Sequence, residues 1–277
     1  MDLDEITFEK ADGVGEITLD RPAHLNPISA RAGGTRDQIL SALDDAERDP
    51  DIGCLLLRGA GTAFSAGGDL TGNARRETAA EHAAFLEEAE RFHDRMRAAP
   101  LPIVAAVHGY CLGAALALIA TCDLVIAGES ARFGVPEGRM GLIGASPLVP
   151  AVGRQWAKFL VLTGELIDAE RARDIGLVLT VEPDDALLDR TRDLCRRLAR
   201  LPRTALWLNK RSVDAIADAA GDAAGRLAGA ARDIITLSES GRATAPDGRG
   251  FREILDAEGI EGIKRARAAQ YTQPWLR

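Results

Sequence analysis

Short β-branched runs alternate with helical patterns along this chain, and that alternation restricts the fold more than any other feature. Ile6–Glu9, Glu16–Leu19, Cys54–Arg58, Ile103–Val107, Leu124–Ala127 and Leu177–Val181 read as strands, with helical periodicity between them. The spacing predicts an α/β body over residues 1–200. From Asp184 onward only helical signals remain, so residues 201–277 are expected to form a helical C-terminal region. One helix is predicted over Ala79–Ala98, with Phe85, Leu86, Ala89, Phe92 and Met96 on one stripe and Glu87, Glu88, Glu90 and Arg91 opposite. It should stop before Pro100. His82 and His93 on this helix are too far apart to chelate one ion and are expected on a solvated face, as are the acidic residues Glu77, Glu81, Glu87, Glu88 and Glu90.

A chain of 277 residues that is 46% hydrophobic can bury a full core. Its formal net charge of −8 leaves no global basic field for nucleic acid or an anionic membrane, which points to a small-molecule partner. Cys54, Cys111, Cys122 and Cys195 form no CxxC pair and sit mostly in apolar runs, as free buried thiols of a reducing compartment do. Met1-Asp2-Leu3-Asp4-Glu5 is acidic where a secretory signal is basic. The longest apolar stretch, Leu112–Ala120, is about half the length of a membrane span and is interrupted by Gly113. The expected location is the cytoplasm.

Three glycine-bearing turns follow strands. Ala63-Phe64-Ser65-Ala66-Gly67-Gly68-Asp69-Leu70 comes soon after Cys54–Arg58, and its small residues let the backbone aim N–H groups at a ligand. His108-Gly109-Tyr110-Cys111-Leu112-Gly113-Ala114-Ala115-Leu116-Ala117 follows Ile103–Val107 and opens an apolar helix, whose first N–H groups are unpaired and favour an oxyanion. Phe133-Gly134-Val135-Pro136-Glu137-Gly138 is a fixed bend bearing one carboxylate. Taken singly, each reads equally as an ordinary tight turn or a solvated glutamate. Neither of the first two has the spacing of a Walker loop or of GxGxxG. Ala63-Phe64-Ser65-Ala66-Gly67 falls short of the GxSxG of serine hydrolases at its first position, and no histidine has an evident partner role.

Together, in this order, the segments resemble the crotonase (enoyl-CoA hydratase/isomerase) family. Leu19-Asp20-Arg21-Pro22-Ala23-His24-Leu25-Asn26 looks like its early acyl-CoA contact loop, Ala63–Leu70 and Val107–Asp123 like its two oxyanion motifs, and Ala127–Glu137 like its catalytic turn. Thr163–Val178 resembles the helix and strand that come next. The resemblance implies stacked ββα units in a superhelix, a helical C-terminal region that packs a homotrimer or hexamer, and an acyl-CoA thioester substrate handled without metal or redox cofactor, coenzyme A being part of the substrate. It further implies that the N–H groups of Gly68 and Ala114 hold the thioester oxygen, that Glu137 is the base, that Ala66, Asp69 and Leu70 lie near the adenine of CoA, and that His24 and Leu25 line the pantetheine entry. His108, where relatives often carry asparagine, suits a structural hydrogen bond.

Two departures from the family pattern bear on the reaction. Hydratases of the family generally use a second glutamate at the position of Ala117, and Gly144, Ala145 and Ser146 supply no later acidic residue. Ala23 stands where relatives often have a lysine near the CoA phosphates, a role that Lys264 or Arg267 of the tail could take over. The resemblance therefore leaves several readings open. A single-glutamate 3-enoyl-CoA to 2-enoyl-CoA isomerase comes first, with Met140, Leu142 and Ile143 as the apolar surround that would raise the base's pKa. The alternatives are an enoyl-CoA hydratase lacking one glutamate, another enolate conversion, and a catalytically silent acyl-CoA-binding subunit.

Overall fold

The structure is a computed structural model that describes residues 3–71, 78–140, 148–221, 224–225, 235, 243–269 and 275–276. It begins with a hairpin of β1 (Ile6–Ala11) and β2 (Val14–Leu19). The two turn residues are Asp12 (φ 53°) and Gly13 (φ 80°), the pair of left-handed conformations that matches the twist of adjoining antiparallel strands. After α1 (Thr35–Arg48) the chain adds β3 (Cys54–Gly59), β4 (Ile103–Val107), β6 (Leu124–Gly128) and β9 (Thr180–Glu182), each parallel to its neighbour. The resulting six-stranded sheet has the order β1-β2-β3-β4-β6-β9.

Strands covered on both faces read as unbroken apolar runs, and β3 and β4 do so. Leu55, Leu57, Ile103, Ala105 and Val107 point into the larger core with Ile39 and Leu43 of α1 and with Phe92 and Met96 of α2 (Ala79–Arg97). The alternate residues Cys54, Leu56, Val104 and Ala106 face the other way, onto Leu187 and Cys195 of α6 (Asp184–Ala199). All four cysteines are free; Cys54, Cys111 and Cys195 are buried and Cys122 half-buried.

A second, three-stranded sheet stacks beside the first, made of β5 (Tyr110–Leu112), β7 (Arg132–Gly134) and β8 (Leu166–Asp168). Isolated parallel bridges Ser65↔Cys111 and Ile28↔Gly68 extend it. The second glycine turn therefore does not lead straight into a helix: β5 intervenes, and α3 (Ala114–Ile119) begins only after Gly113. Around this sheet lie α4 (Leu148–Thr163), kinked at Gly153, and α5 (Ala169–Asp174). Strand β9 starts at Thr180 rather than Leu177, because the N–H groups of Leu177 and Val178 still turn back to Ala172 O. The tail contains α7 (Arg203–Ala219), on which no residue is buried, and α8 (Phe251–Ala269), kinked at Gly259.

The expected solvated state of the α2 histidines is incorrect. His93 is buried beside Phe92, and burial together with the charges of Arg36 and Arg97 depresses its pKa to about 3, against the opposing pull of Asp94. His82 is half-buried with its Nδ1 sealed from solvent. Both occupy the apolar stripe that carries Ala89 and Met96. The N-terminus of α2 is closed by a reciprocal cap between Thr78 and Glu81. Glu77 lies outside the described residues. Among the described residues no helix is long and apolar enough to cross a membrane.

Candidate active site

The site lies where the loops after β3 and β4 meet the small sheet, beyond the carboxyl ends of parallel strands, the usual place for a ligand crevice in an open α/β sheet. Its first wall is built from the segment after β1-β2. A one-turn 3-10 helix, Pro22–His24, ends in Leu25 (φ 59°) and Asn26 (φ 52°), left-handed positions that asparagine tolerates better than most residues. The fully buried Asn26 side chain then ties the next loop down. Its Nδ2 donates to Ala60 O and Ala63 O at 2.8 Å and to Phe64 O at 3.2 Å, and its Oδ1 accepts from Arg21 N at 2.9 Å.

That anchoring fixes the loop through Gly68. Ile28 N donates to Gly67 O at 2.8 Å and Asp69 N to Ile28 O at 2.9 Å. In a parallel bridge the residue between two such partners turns its own N–H and C=O the opposite way, so the Gly68 N–H faces outward from the bridge; Gly68 is exposed. Behind it Asp69 is buried, with Oδ2 at 2.7 Å from Arg21 Nη1 and Oδ1 accepting from Thr71. Although burial opposes ionisation, the bonds from Thr71 and Arg21 bring the Asp69 pKa down to about 2. Arg21 also reaches Oε1 of the buried Glu5, which Arg31 shares, while Thr35 donates to Oε2.

The facing wall is the β5–α3 junction. Gly113 adopts φ 53° as the N-cap of α3 and donates to Gly134 O at 2.9 Å, which presents Ala114 as the first helical residue. A methyl placed on Gly68 would touch Ala114 Cβ at 3.8 Å, so the two backbones approach closely. Neither the Gly68 N–H nor the Ala114 N–H donates to another described residue. An oxygen placed between them can accept from two rigid main-chain donors. Ala117, one turn after Ala114 and half-exposed like it, shares that face of α3.

Glu137 closes the third side. It sits on the 3-10 turn Pro136–Met140 that follows β7, and its carboxylate packs against the Cα of Gly113. Its Oε2 is sealed and without a hydrogen-bond partner among the described residues. Burial raises the Glu137 pKa, opposed by its own backbone N–H and by the charge of Arg267 on α8. Gly68, Ala114 and Glu137, distant in sequence, are thus brought to one place. Met140 packs on α8; Leu142, Ile143, Gly144, Ala145 and Ser146 lie outside the described residues. The chain matches the enoyl-CoA hydratase/isomerase family profile over residues 9–230.

The chain belongs to the enoyl-CoA hydratase/isomerase family. It is 34% identical over 218 residues to a probable enoyl-CoA hydratase of Mycobacterium tuberculosis, covering 77% of this chain and 82% of that protein. It is 37% identical over 212 residues to the 1,2-epoxyphenylacetyl-CoA isomerase of Escherichia coli, covering 73% and 79%. A solved enoyl-CoA hydratase/isomerase from Xanthobacter autotrophicus Py2 superimposes with a TM-score of 0.88 at 29% identity, covering 97% of this chain and 98% of that one. The α/β crotonase fold and an acyl-CoA enzyme of the hydratase/isomerase type follow.

Other residues singled out in the sequence fall around this crotonase site. His24 is exposed, Leu25 half-buried and hydrogen-bonded through its carbonyl to Ala66 N at 2.8 Å; Ala66 is half-buried and Leu70 exposed. The Asp69 carboxylate is turned inward to Arg21 and Thr71. His108 Nε2 lies 2.9 Å from Gly61 O. Ser65 is fully buried with its Oγ accepting from Gly67 N at 3.1 Å, which removes it as a nucleophile. Lys264 is paired with Glu261 on the surface, whereas Arg267 is half-buried on α8, within electrostatic reach of Glu137. Asn26 and the Arg21–Asp69 pair carry the first wall and were not anticipated; a polar residue following the proline turn was the available signal.

Proposed function

We propose that this crotonase isomerises a 3-enoyl-CoA to the 2-enoyl-CoA with Glu137 as its single acid-base group. One observation carries the reading: Glu137 is the carboxylate beside the two free N–H groups, and the facing helix offers only the methyl of Ala117. The carboxylate of Glu137 takes a proton from the alpha carbon of the thioester, and the electron pair passes to the thioester oxygen. The N–H groups of Gly68 and Ala114 stabilise the resulting dienolate, each worth about 3 kcal/mol in such a hole. The carboxylic acid so formed returns the proton to the gamma carbon, the electrons move back, and the double bond has shifted with no net proton uptake. No metal or redox group enters the scheme; coenzyme A is the substrate's handle. The bare, apolar-bearing α7, with Leu208, Val213 and Ile216 exposed, supports assembly as a homotrimer or hexamer. A cytoplasmic location fits the free cysteines.

A hydratase is the second reading, favoured by the name of the mycobacterial relative. Purified protein and a Glu137→Gln variant assayed on paired 3-enoyl-CoA and 2-enoyl-CoA substrates decide between them. The expected result is isomerisation, negligible hydration, and a loss of about 100- to 10,000-fold in the variant. Efficient hydration of 2-enoyl-CoA by the wild type would overturn the single-base scheme.

A further inference from the structure

Arg267 is the cation of the tail that the scheme above leaves unused. Helix α8 packs on the catalytic turn through Met140, which lies against the cluster containing Ile263 and Ala266. The next residue, Arg267, is half-buried and close enough to Glu137 and Arg139 for their charges to act on it. It makes no hydrogen bond or ion pair with any described residue. Glu137 does not serve as its partner: the carboxylate is seated on Gly113, and its Oε2 stays unsatisfied although the guanidinium is in the same locality.

A guanidinium keeps its charge when partly buried, so a half-buried arginine without an ion-pair partner among the described residues is suited to receive an oxyanion. Arg139 is anchored nearby, with its Nε on Thr163 O at 3.0 Å, and adds a second positive charge. A planar, bidentate acceptor matches an arginine fork best.

We propose that Arg267 is a specificity-determining residue that binds a carboxylate carried on the acyl chain, making this enzyme selective for acyl-CoA thioesters of dicarboxylic acids. The inference rests on the acyl-CoA reading of the same site. The shared chemistry is an oxyanion, and a CoA phosphate is the other possible source. The acyl end is favoured because Arg267 follows the residues of α8 that pack on the turn carrying Glu137, and Glu137 rests on Gly113 beside Ala114.

The test is equilibrium binding of saturated, unreactive esters, so that no turnover is needed. Succinyl-, glutaryl- and adipoyl-CoA are titrated against butyryl-, pentanoyl- and hexanoyl-CoA and free CoA, for the wild type, Arg267→Met and Arg267→Lys, with melting temperatures to check folding. The expected result is that at one chain length the carboxylate ester binds at least about tenfold tighter than its neutral counterpart. Arg267→Met should reduce that ratio to near one and Arg267→Lys to an intermediate value. If no length favours the carboxylate, or if Arg267→Met weakens free CoA as much as the dicarboxylic ester, the inference is wrong. If neither CoA nor any ester binds, the acyl-CoA reading itself fails and takes this one with it.

Discussion

The carboxylate of Glu137 rests on the Cα of Gly113, so close that a side chain there would have to occupy the carboxylate's own space. The same glycine holds φ 53° and sets the start of α3. Gly113 therefore positions both the proposed base and, through Ala114, one of the two free N–H groups. Gly113→Ala is expected to retain a folded protein but lose roughly 100-fold or more in kcat, since displacement of about 1 Å suffices for that. Steady-state kinetics beside a thermal melt check it; near-normal kcat would show that the turn can yield without cost.

The pH dependence of the reaction follows from where Glu137 is buried. A base works in its ionised form, and burial lifts the Glu137 pKa above the ordinary carboxylate value of 4.5. The rate should fall as pH drops through that raised value, at a less acidic pH than a solvated glutamate would show. Removing the opposing charge in Arg267→Met should push the acid limb of kcat/KM to still higher pH. An unmoved limb would mean that the two groups do not feel one another during turnover.

Ala117 offers a gain-of-function experiment. It lies on the same half-exposed face of α3 as Ala114, one turn on. Ala117→Glu places a second carboxylate at the mouth of the crevice, where it can orient and deprotonate a water. Hydration of 2-enoyl-CoA should rise by at least about tenfold. No gain in a folded variant would show that another feature of the pocket bars water.

His93 makes a prediction about stability rather than rate. Its pKa in the folded protein, about 3, lies below the usual 6.5, so the unfolded chain binds the proton first and stability rises with pH through that interval. Stability is complete above about pH 6.5 and should be lost by as much as about 1.4 kcal/mol per pH unit on acidification toward 3. Denaturant melts of wild type and His93→Phe between pH 7 and 4 measure the difference: the wild type should lose stability relative to the variant as pH falls. Parallel pH dependence in the two proteins would place the acid sensitivity elsewhere.

The legible parts of this fold were those in which a local pattern runs long enough to repeat. Cys54–Arg58 and Ile103–Val107 are central strands buried on both faces and can be read as unbroken apolar runs, and the α2 stripe spans five turns. Strands β5, β7 and β8 are three residues each, too short for alternation to emerge, so the glycine turn at 108–117 looked like the direct start of a helix. The same stripe rule, applied only to apolar residue types, misplaced His93, whose neutral ring packs as an apolar side chain would. At the site, the glycine turns and Glu137 could be picked out because small residues and a lone carboxylate stand out locally. Asn26 could not, since its three acceptors lie more than thirty residues away. Arg267 was named only as a possible CoA-phosphate contact, because its nearness to Glu137 exists only once α8 has docked.

Trp275 and Leu276 are tied to the body of the protein as well. Trp275 N and Leu276 N donate to the two oxygens of the buried Glu165, at 3.0 and 3.4 Å, just before β8, the strand paired with β7 ahead of the catalytic turn. In biosynthetic terms, the paired donors and the base have all left the ribosome while Arg267 and this clasp are still inside it. Along the gene, Gly68, Ala114 and Glu137 come first and the helix bearing Arg267 comes well after them. On the proposal above, a change in the acid accepted can arise within α8 while the codons for Gly68, Ala114 and Glu137 stay as they are.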